Sequence, residues 1–260
     1  MTGELVHLEV SPGGIGTITL DSPHNRNALS RRLLADLDRH LATALADPAV
    51  RVVVLTGAGP AFCSGADLKE RRGAEDEAPS GRPRGLAPIL TAMWEAPKPV
   101  VGRINGPARA GGVGLVAACD IAVAADSATF AVNEVRIGVI AGVISVVLVP
   151  KIGQTRSMEL FLTGDVFDAH AAVAHGLLTA AAPSDRLDET VGRYLASLLK
   201  GAPGALAASK RLVREVGTLP MSAAFAEMSK RSARFFASDE AREGLAAFAE
   251  KRPPRWVREA

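Results

Sequence analysis

Residues 50–56, Val-Arg-Val-Val-Val-Leu-Thr, form a β-branched run in which apolar side chains do not alternate with polar ones. A strand with one wet face alternates. A strand that does not alternate is covered on both faces, as the parallel strands between two helical layers are. Asp47-Pro48 stops whatever precedes this run, and Gly57-Ala58-Gly59-Pro60 breaks it. Before it, Ser30 can cap a helix reaching to about residue 46, in which Leu33, Leu34, Leu37, Leu41 and Leu45 share one face. Earlier still, two β-prone runs at 5–10 and 15–20 flank Ser11-Pro12-Gly13-Gly14, a hairpin signal. Hairpin, helix and buried strand together predict a mixed α/β chain built on a β-α-β crossover.

Further along, a helix is expected over 86–94 and a strand over 100–105. A glycine-rich stretch then leads into a helix over 112–119, and strands follow at 121–125 and 128–132. After residue 137 only 178–182 reads as a strand, and the rest has helical period with caps and proline stops. Residues 71–85 carry seven charges and almost no apolar side chain, which reads as a surface loop and a candidate lid. No internal repeat is present, so the expected division is a β/α core over 1–195 and a helical region over 196–260. Such a tail is expected to pack on a neighbouring copy instead of its own chain.

Composition narrows the function classes. With 260 residues, 48% of them hydrophobic and 22% charged, the chain can bury a sizeable core. A net charge of +2 and only 4% aromatic residues argue against nucleic-acid binding. Cys63 and Cys119 make neither a disulfide framework nor a zinc motif, and the five histidines show no metal-ligand spacing. The most apolar uncharged run, 137–150, is shorter than the ~20 residues a membrane span needs. The expectation is a cytoplasmic protein with no metal, nucleic-acid or membrane partner.

Three segments could carry chemistry. In 61–69, Ala-Phe-Cys-Ser-Gly-Ala-Asp-Leu-Lys, small residues follow a strand and open a helix, so a ligand could approach backbone N–H groups there. The plainer reading is a turn capped by Asp67. Ser64 is not in a hydrolase elbow, because Phe62 stands where glycine is required. In 105–114, Asn-Gly-Pro-Ala-Arg-Ala-Gly-Gly-Val-Gly, a strand again leads through glycines into a helix. Gly112, Gly114 and Ala117 also match a dinucleotide fingerprint, although Gly112 lies too far from the strand end, and a Walker A loop is excluded by Val113-Gly114. Glu134 sits between a strand and the most apolar segment. Desolvation could make it a general base, or it could be a surface carboxylate paired with Arg136.

Taken in order, these segments make the chain resemble the crotonase superfamily, the enoyl-CoA hydratase/isomerase family. The residues that carry the likeness are Asn27-Ala28-Leu29, the 62–69 turn, 105–115 with Cys119-Asp120-Ile121, Glu134 with Gly138, Leu162-Thr163-Gly164, and 247–252. The resemblance implies an α/β crotonase-like fold of repeated ββα units with a helical C-terminal trimerisation region, hence a homotrimer or homohexamer. It implies an enzyme acting on an acyl-CoA thioester, with coenzyme A part of the substrate and no separate cofactor. In that likeness the amides of Ser64 and Gly111 form an oxyanion hole and Glu134 is the acid/base. Arg26, Ala28, Ala66, Asp67, Leu68 and Gly112 border the CoA thioester.

The chain departs from the family at one place above all. Hydratases of the family carry a second glutamate just after the glycine turn, where this chain has Gly114. With Glu134 alone, hydration of a 2-enoyl-CoA requires one carboxylate both to activate water and to return its proton to the α-carbon. The alternatives are a Δ3,Δ2-enoyl-CoA isomerase, which needs only one shuttle, and a non-catalytic acyl-CoA-binding member. A second departure is Ala141-Gly142-Val143-Ile144, where the family often has proline and glycines. Val143 and Ile144 could narrow the acyl pocket or make it more apolar, which leaves the length and branching of the acyl group open.

Overall fold

A computed structural model describes residues 3–72 and 85–257. The lid expected over 71–85 falls almost entirely outside the described residues. The elements in chain order are β1 (Val6–Val10), β2 (Ile15–Leu20), α1 (Arg31–Ala46), β3 (Val52–Gly57), α2 (Leu68–Arg72), α3 (Leu86–Glu95), β4 (Val100–Ile104), β5 (Ala108–Arg109), α4 (Gly111–Ala118), β6 (Ile121–Ala125) and β7 (Thr129–Ala131). A 3₁₀ turn, Glu134–Ile137, leads to α5 (Gly142–Thr163), β8 (Phe167–Asp168), α6 (Ala169–Ala174), β9 (Ala180–Ala182), α7 (Leu187–Leu199), α8 (Pro203–Glu215), α9 (Met221–Phe236) and α10 (Asp239–Ala249).

The main sheet has six strands in the order β1-β2-β3-β4-β6-β9, parallel except for the β1–β2 hairpin. Every residue of β3 is buried, as the unbroken apolar run requires. Its two faces serve different layers. Val53 and Leu55 join the large core beneath α1, α3, α4 and α5, whereas Val52 and Val54 pack with Val101, Val123 and the α7 residues Leu187 and Val191. α1 begins where the sequence predicts, since the Ser30 side chain accepts from the Leu33 amide at 3.1 Å. Leu33, Leu37, Leu41 and Ala44 are its buried face.

A small sheet, β5-β7-β8, lies beside the main one. β5 and β8 have two residues each, too few to show a period in the sequence. The expected division at 195/196 falls within α7, whose Leu195, Leu198 and Leu199 pack on the second face of the sheet. The tail also binds its own chain more than expected. Lys210 and Arg214 of α8 each reach Asp120 at 2.8 Å, and Arg214 lies 3.8 Å over the Trp94 ring. Near the C-terminus the carbonyl of Trp256 accepts from Arg51 at 2.6 Å, and its indole donates to Lys200 at 3.0 Å. Phe225, Phe236 and Phe248 of α9 and α10 stay at least 70% exposed.

Candidate active site

The parallel strands β2, β3 and β4 end on the same edge of the sheet, so the loops that follow them, 21–30, 58–67 and 105–110, must meet there. Asn27 ties the first two together. It is fully buried, its Nδ2 donates to the carbonyls of Ala58 and Ala61 at 3.0 and 2.9 Å, and its Oδ1 accepts from the Ser22 amide at 2.8 Å. Arg26 and Asn27 both hold left-handed backbone, with φ of 57° and 56°, to make this turn. The Leu29 amide then donates to Gly65 at 2.7 Å, and the Arg109 amide to Cys63 at 2.9 Å, lacing all three loops. The Ala110 amide donates to Ala131 at 2.9 Å and joins them to β7, which delivers Glu134.

Glycine is required where these loops touch. A Cβ on Gly112 would lie 2.5 Å from the Cys63 carbonyl oxygen. A Cβ on Gly65, where φ is 85°, would lie 2.9 Å from both the Ala110 Cβ and the Arg109 carbonyl oxygen. Between them Ala110 is held at φ 48° and ψ −119°, backbone that costs a non-glycine residue about 1–3 kcal/mol. That strained residue is the N-cap of α4. It turns the chain so that Gly111 and Gly112 open the helix, and their amides meet no acceptor among the described residues. The positive end of the helix dipole adds to these donors.

Of the two amides expected to form an oxyanion hole, the structure leaves Gly111 unspent and Ser64 engaged. The Ser64 amide donates to the Arg26 carbonyl at 3.0 Å, and its hydroxyl donates to Asn25 at 3.1 Å. Any other acceptor brought to the Ser64 amide would have to share or displace the Arg26 carbonyl.

Glu134 begins the 3₁₀ turn and is half-buried. Burial pushes its carboxyl above the usual range, with its own amide opposing part of the effect. Its Oε2 is buried and without a hydrogen-bond partner among the described residues. The alternative pairing with Arg136 is absent, because Arg136 binds Asp165 and the Thr163 carbonyl instead. The result is a desolvated, uncompensated carboxylate suited to proton transfer.

The other expected contacts spread along the loops. Arg26 is exposed, Ala28 is buried, Ala66 is partly buried, and Leu68 is half-exposed at the start of α2. Asp67 performs the capping role, accepting from the Lys69 amide at 3.0 Å. Gly112 and Gly114 lie inside α4 and not in the turn after a strand, so the dinucleotide reading fails on placement. Burial raises the thiols of Cys63 and Cys119 to about 12. Among the described residues no three His, Cys, Asp or Glu side chains gather as a metal site, and no helix is long and apolar enough to cross a membrane. The clamp made by Asn27 and the strain at Ala110 were not legible in the sequence as structural roles. The only signal was the position of Asn27 ahead of Ala28-Leu29.

Comparison with known proteins agrees with this geometry. Residues 11–259 match the family model described as enoyl-CoA hydratase/isomerase. A Thermus thermophilus protein named for enoyl-CoA hydratase is 36% identical over 254 residues, covering 96% of this chain and 100% of its own. Human enoyl-CoA hydratase domain-containing protein 3, mitochondrial, is 32% identical over 95% of this chain and 82% of its own. Among solved structures, Pseudomonas aeruginosa AtuE superposes with a TM-score of 0.90 at 32% identity, covering 98% of this chain and 100% of that one. With residues 11–259 matched by that family model and a relative 36% identical along its whole length, the chain belongs to the enoyl-CoA hydratase/isomerase family of the crotonase superfamily.

Proposed function

We propose that this protein is an enzyme of 2-enoyl-CoA hydration, in which helix amides hold the thioester oxygen and Glu134 alone moves the proton. One observation carries the proposal: the uncompensated Glu134 carboxylate follows β7, which is bonded to the strained turn that presents the Gly111 amide. Glu134 takes a proton from water as the water oxygen bonds to the β-carbon, and the electron pair moves to the thioester oxygen. The resulting enolate is held by the amide of Gly111 and, once the Arg26 carbonyl gives way or shares its donor, by that of Ser64. Each donor contributes on the order of 3 kcal/mol in such a site. The protonated Glu134 then returns its proton to the α-carbon. Arg26, Ala28, Ala66, Asp67 and Leu68 border the CoA moiety, with Gly112 supplying backbone beside the thioester. The names of the relatives favour hydration.

A second reading is favoured by Gly114, which supplies no second carboxylate. Glu134 would then take a proton from the α-carbon of a 3-enoyl-CoA and return it at the γ-carbon, with no water consumed. Incubation with trans-2-enoyl-CoA and trans-3-enoyl-CoA separates the two by mass and ultraviolet absorbance. Gain of one water supports hydration, while conversion of the 3-enoyl thioester at constant mass supports isomerisation. Saturable acyl-CoA binding with neither product would mean a binding protein. Exposed Ile140, Val146 and Leu162 give α5 and its approach an apolar surface that fits a homotrimer or homohexamer, checked by sedimentation. Two free, buried cysteines fit a reducing compartment such as the cytoplasm.

A further inference from the structure

We propose that Ile144 is the specificity-determining residue of this site, filling from α5 the volume that a side chain at position 114 would take and thereby bounding the acyl group near its reacting carbons. The inference rests on the acyl-CoA reading above. Gly111 and Gly114 are three apart on α4 and so face the same side, one turn from each other. A Cβ on Gly111 would meet Leu29 at 2.8 Å and Leu86 at 3.0 Å. A Cβ on Gly114 would meet the Ile144 Cγ2 at 2.5 Å and Leu90 at 3.5 Å.

Two apolar layers follow from these contacts. Leu29 and Leu86 flank the donor end of α4, and Ile144 and Leu90 flank the next turn, with Leu86 and Leu90 themselves one turn apart on α3. Leu90 would be in ordinary contact with that Cβ, whereas Ile144, 2% exposed and enclosed by the core, would clash with it. Two consequences follow. Position 114 cannot carry a second acid/base side chain while Ile144 keeps its place. The branched side chain of Ile144 also stands one helical turn from the Gly111 donor, where it limits how bulky the acyl group can be beside the thioester.

The test uses Ile144→Ala, with Ile144→Val as the milder variant should the first fold poorly. Turnover is compared on a straight-chain and a 3-methyl-branched enoyl-CoA. The branched-to-straight ratio of kcat/KM is expected to rise about tenfold in Ile144→Ala, the discrimination that a few carbons in an apolar pocket provide, and by less in Ile144→Val. An unchanged ratio in variants that still turn over the straight-chain substrate would overturn the proposal. A thermal melt supplies a readout independent of catalysis. Gly114→Ala is expected to lower the melting temperature by several degrees with Ile144 present and much less in the Ile144→Ala background. Equal losses in both backgrounds would also overturn it. If the unaltered protein turned over no acyl-CoA while the melts showed this coupling, the acyl-CoA reading and the specificity role would fall and the packing would stand.

Discussion

Arg136 lies two residues beyond Glu134 and binds Asp165 and the Thr163 carbonyl, leaving Glu134 with no counter-ion among the described residues. That division of partners turns an ordinary surface-type pair in the sequence into a desolvated carboxylate at the end of β7. A counter-ion would hold the carboxyl ionised and weaken it as a base. Its absence explains why burial dominates.

Glu134→Gln is expected to lose roughly 10²–10⁴-fold in kcat, the usual contribution of a positioned acid/base, while binding acyl-CoA normally. Steady-state kinetics beside equilibrium binding check this, and a variant with unimpaired kcat would remove Glu134 from the chemistry.

The same substitution has a signed effect on stability. The folded carboxyl lies above its ordinary value of 4.5, so the folded state binds more protons than the unfolded chain, and stability falls as pH rises from the ordinary value through the raised one. Gln cannot ionise. Melting temperatures of the two proteins should therefore be similar in acid and diverge in favour of Glu134→Gln as pH approaches neutrality. A difference that does not change with pH would show that burial does not perturb this group.

Asp120→Asn should cost about 3 kcal/mol, because it leaves Lys210, whose side chain is 6% exposed, and Arg214 without their shared anion. Denaturant melts measure the loss, and protease cleavage near α8 should become faster. A loss below about 1 kcal/mol, the value of an exposed pair, would mean that α8 is held by apolar packing alone.

Gly65→Ala should destabilise the protein by about 1–3 kcal/mol and abolish turnover, since the added Cβ meets Ala110 and Arg109 at 2.9 Å on backbone with φ 85°. Activity and melting measured together test it. A fully active variant would show that the two loops are free to separate.

Cys63 and Cys119 should resist alkylation at pH 8 in the folded protein, because burial raises both thiols to about 12 and the thiolate is the reactive form. Mass spectrometry after iodoacetamide should find neither modified until the chain is unfolded. Stoichiometric labelling of the native protein would contradict their burial.

Most elements were legible because their signals are local. The apolar run at 50–56 specified a strand covered twice, Ser30 specified a helix start, and the order of the 62–69 and 105–115 turns with Glu134 specified the family. The sequence alone does not separate α7 from the tail, because both carry the same helical period. Only its contact with Val52, Val101 and Val123 assigns it to the core. β5 and β8 are not legible in the sequence, because two residues have no period.

Local signals along the chain suffice for the α/β class, the start of α1 and α4, and the residue types that stand at the candidate site, all of which depend on neighbours within a few positions. It takes the packing of distant segments to make Asn27 clamp two loops, to set the Arg26 carbonyl on the Ser64 amide, to turn Arg136 from Glu134 to Asp165, and to place Ile144 over Gly114. Each of these depends on how separate strands and helices pack. A hydrogen bond or a contact of a few ångströms between distant segments leaves no periodicity in the chain that makes it.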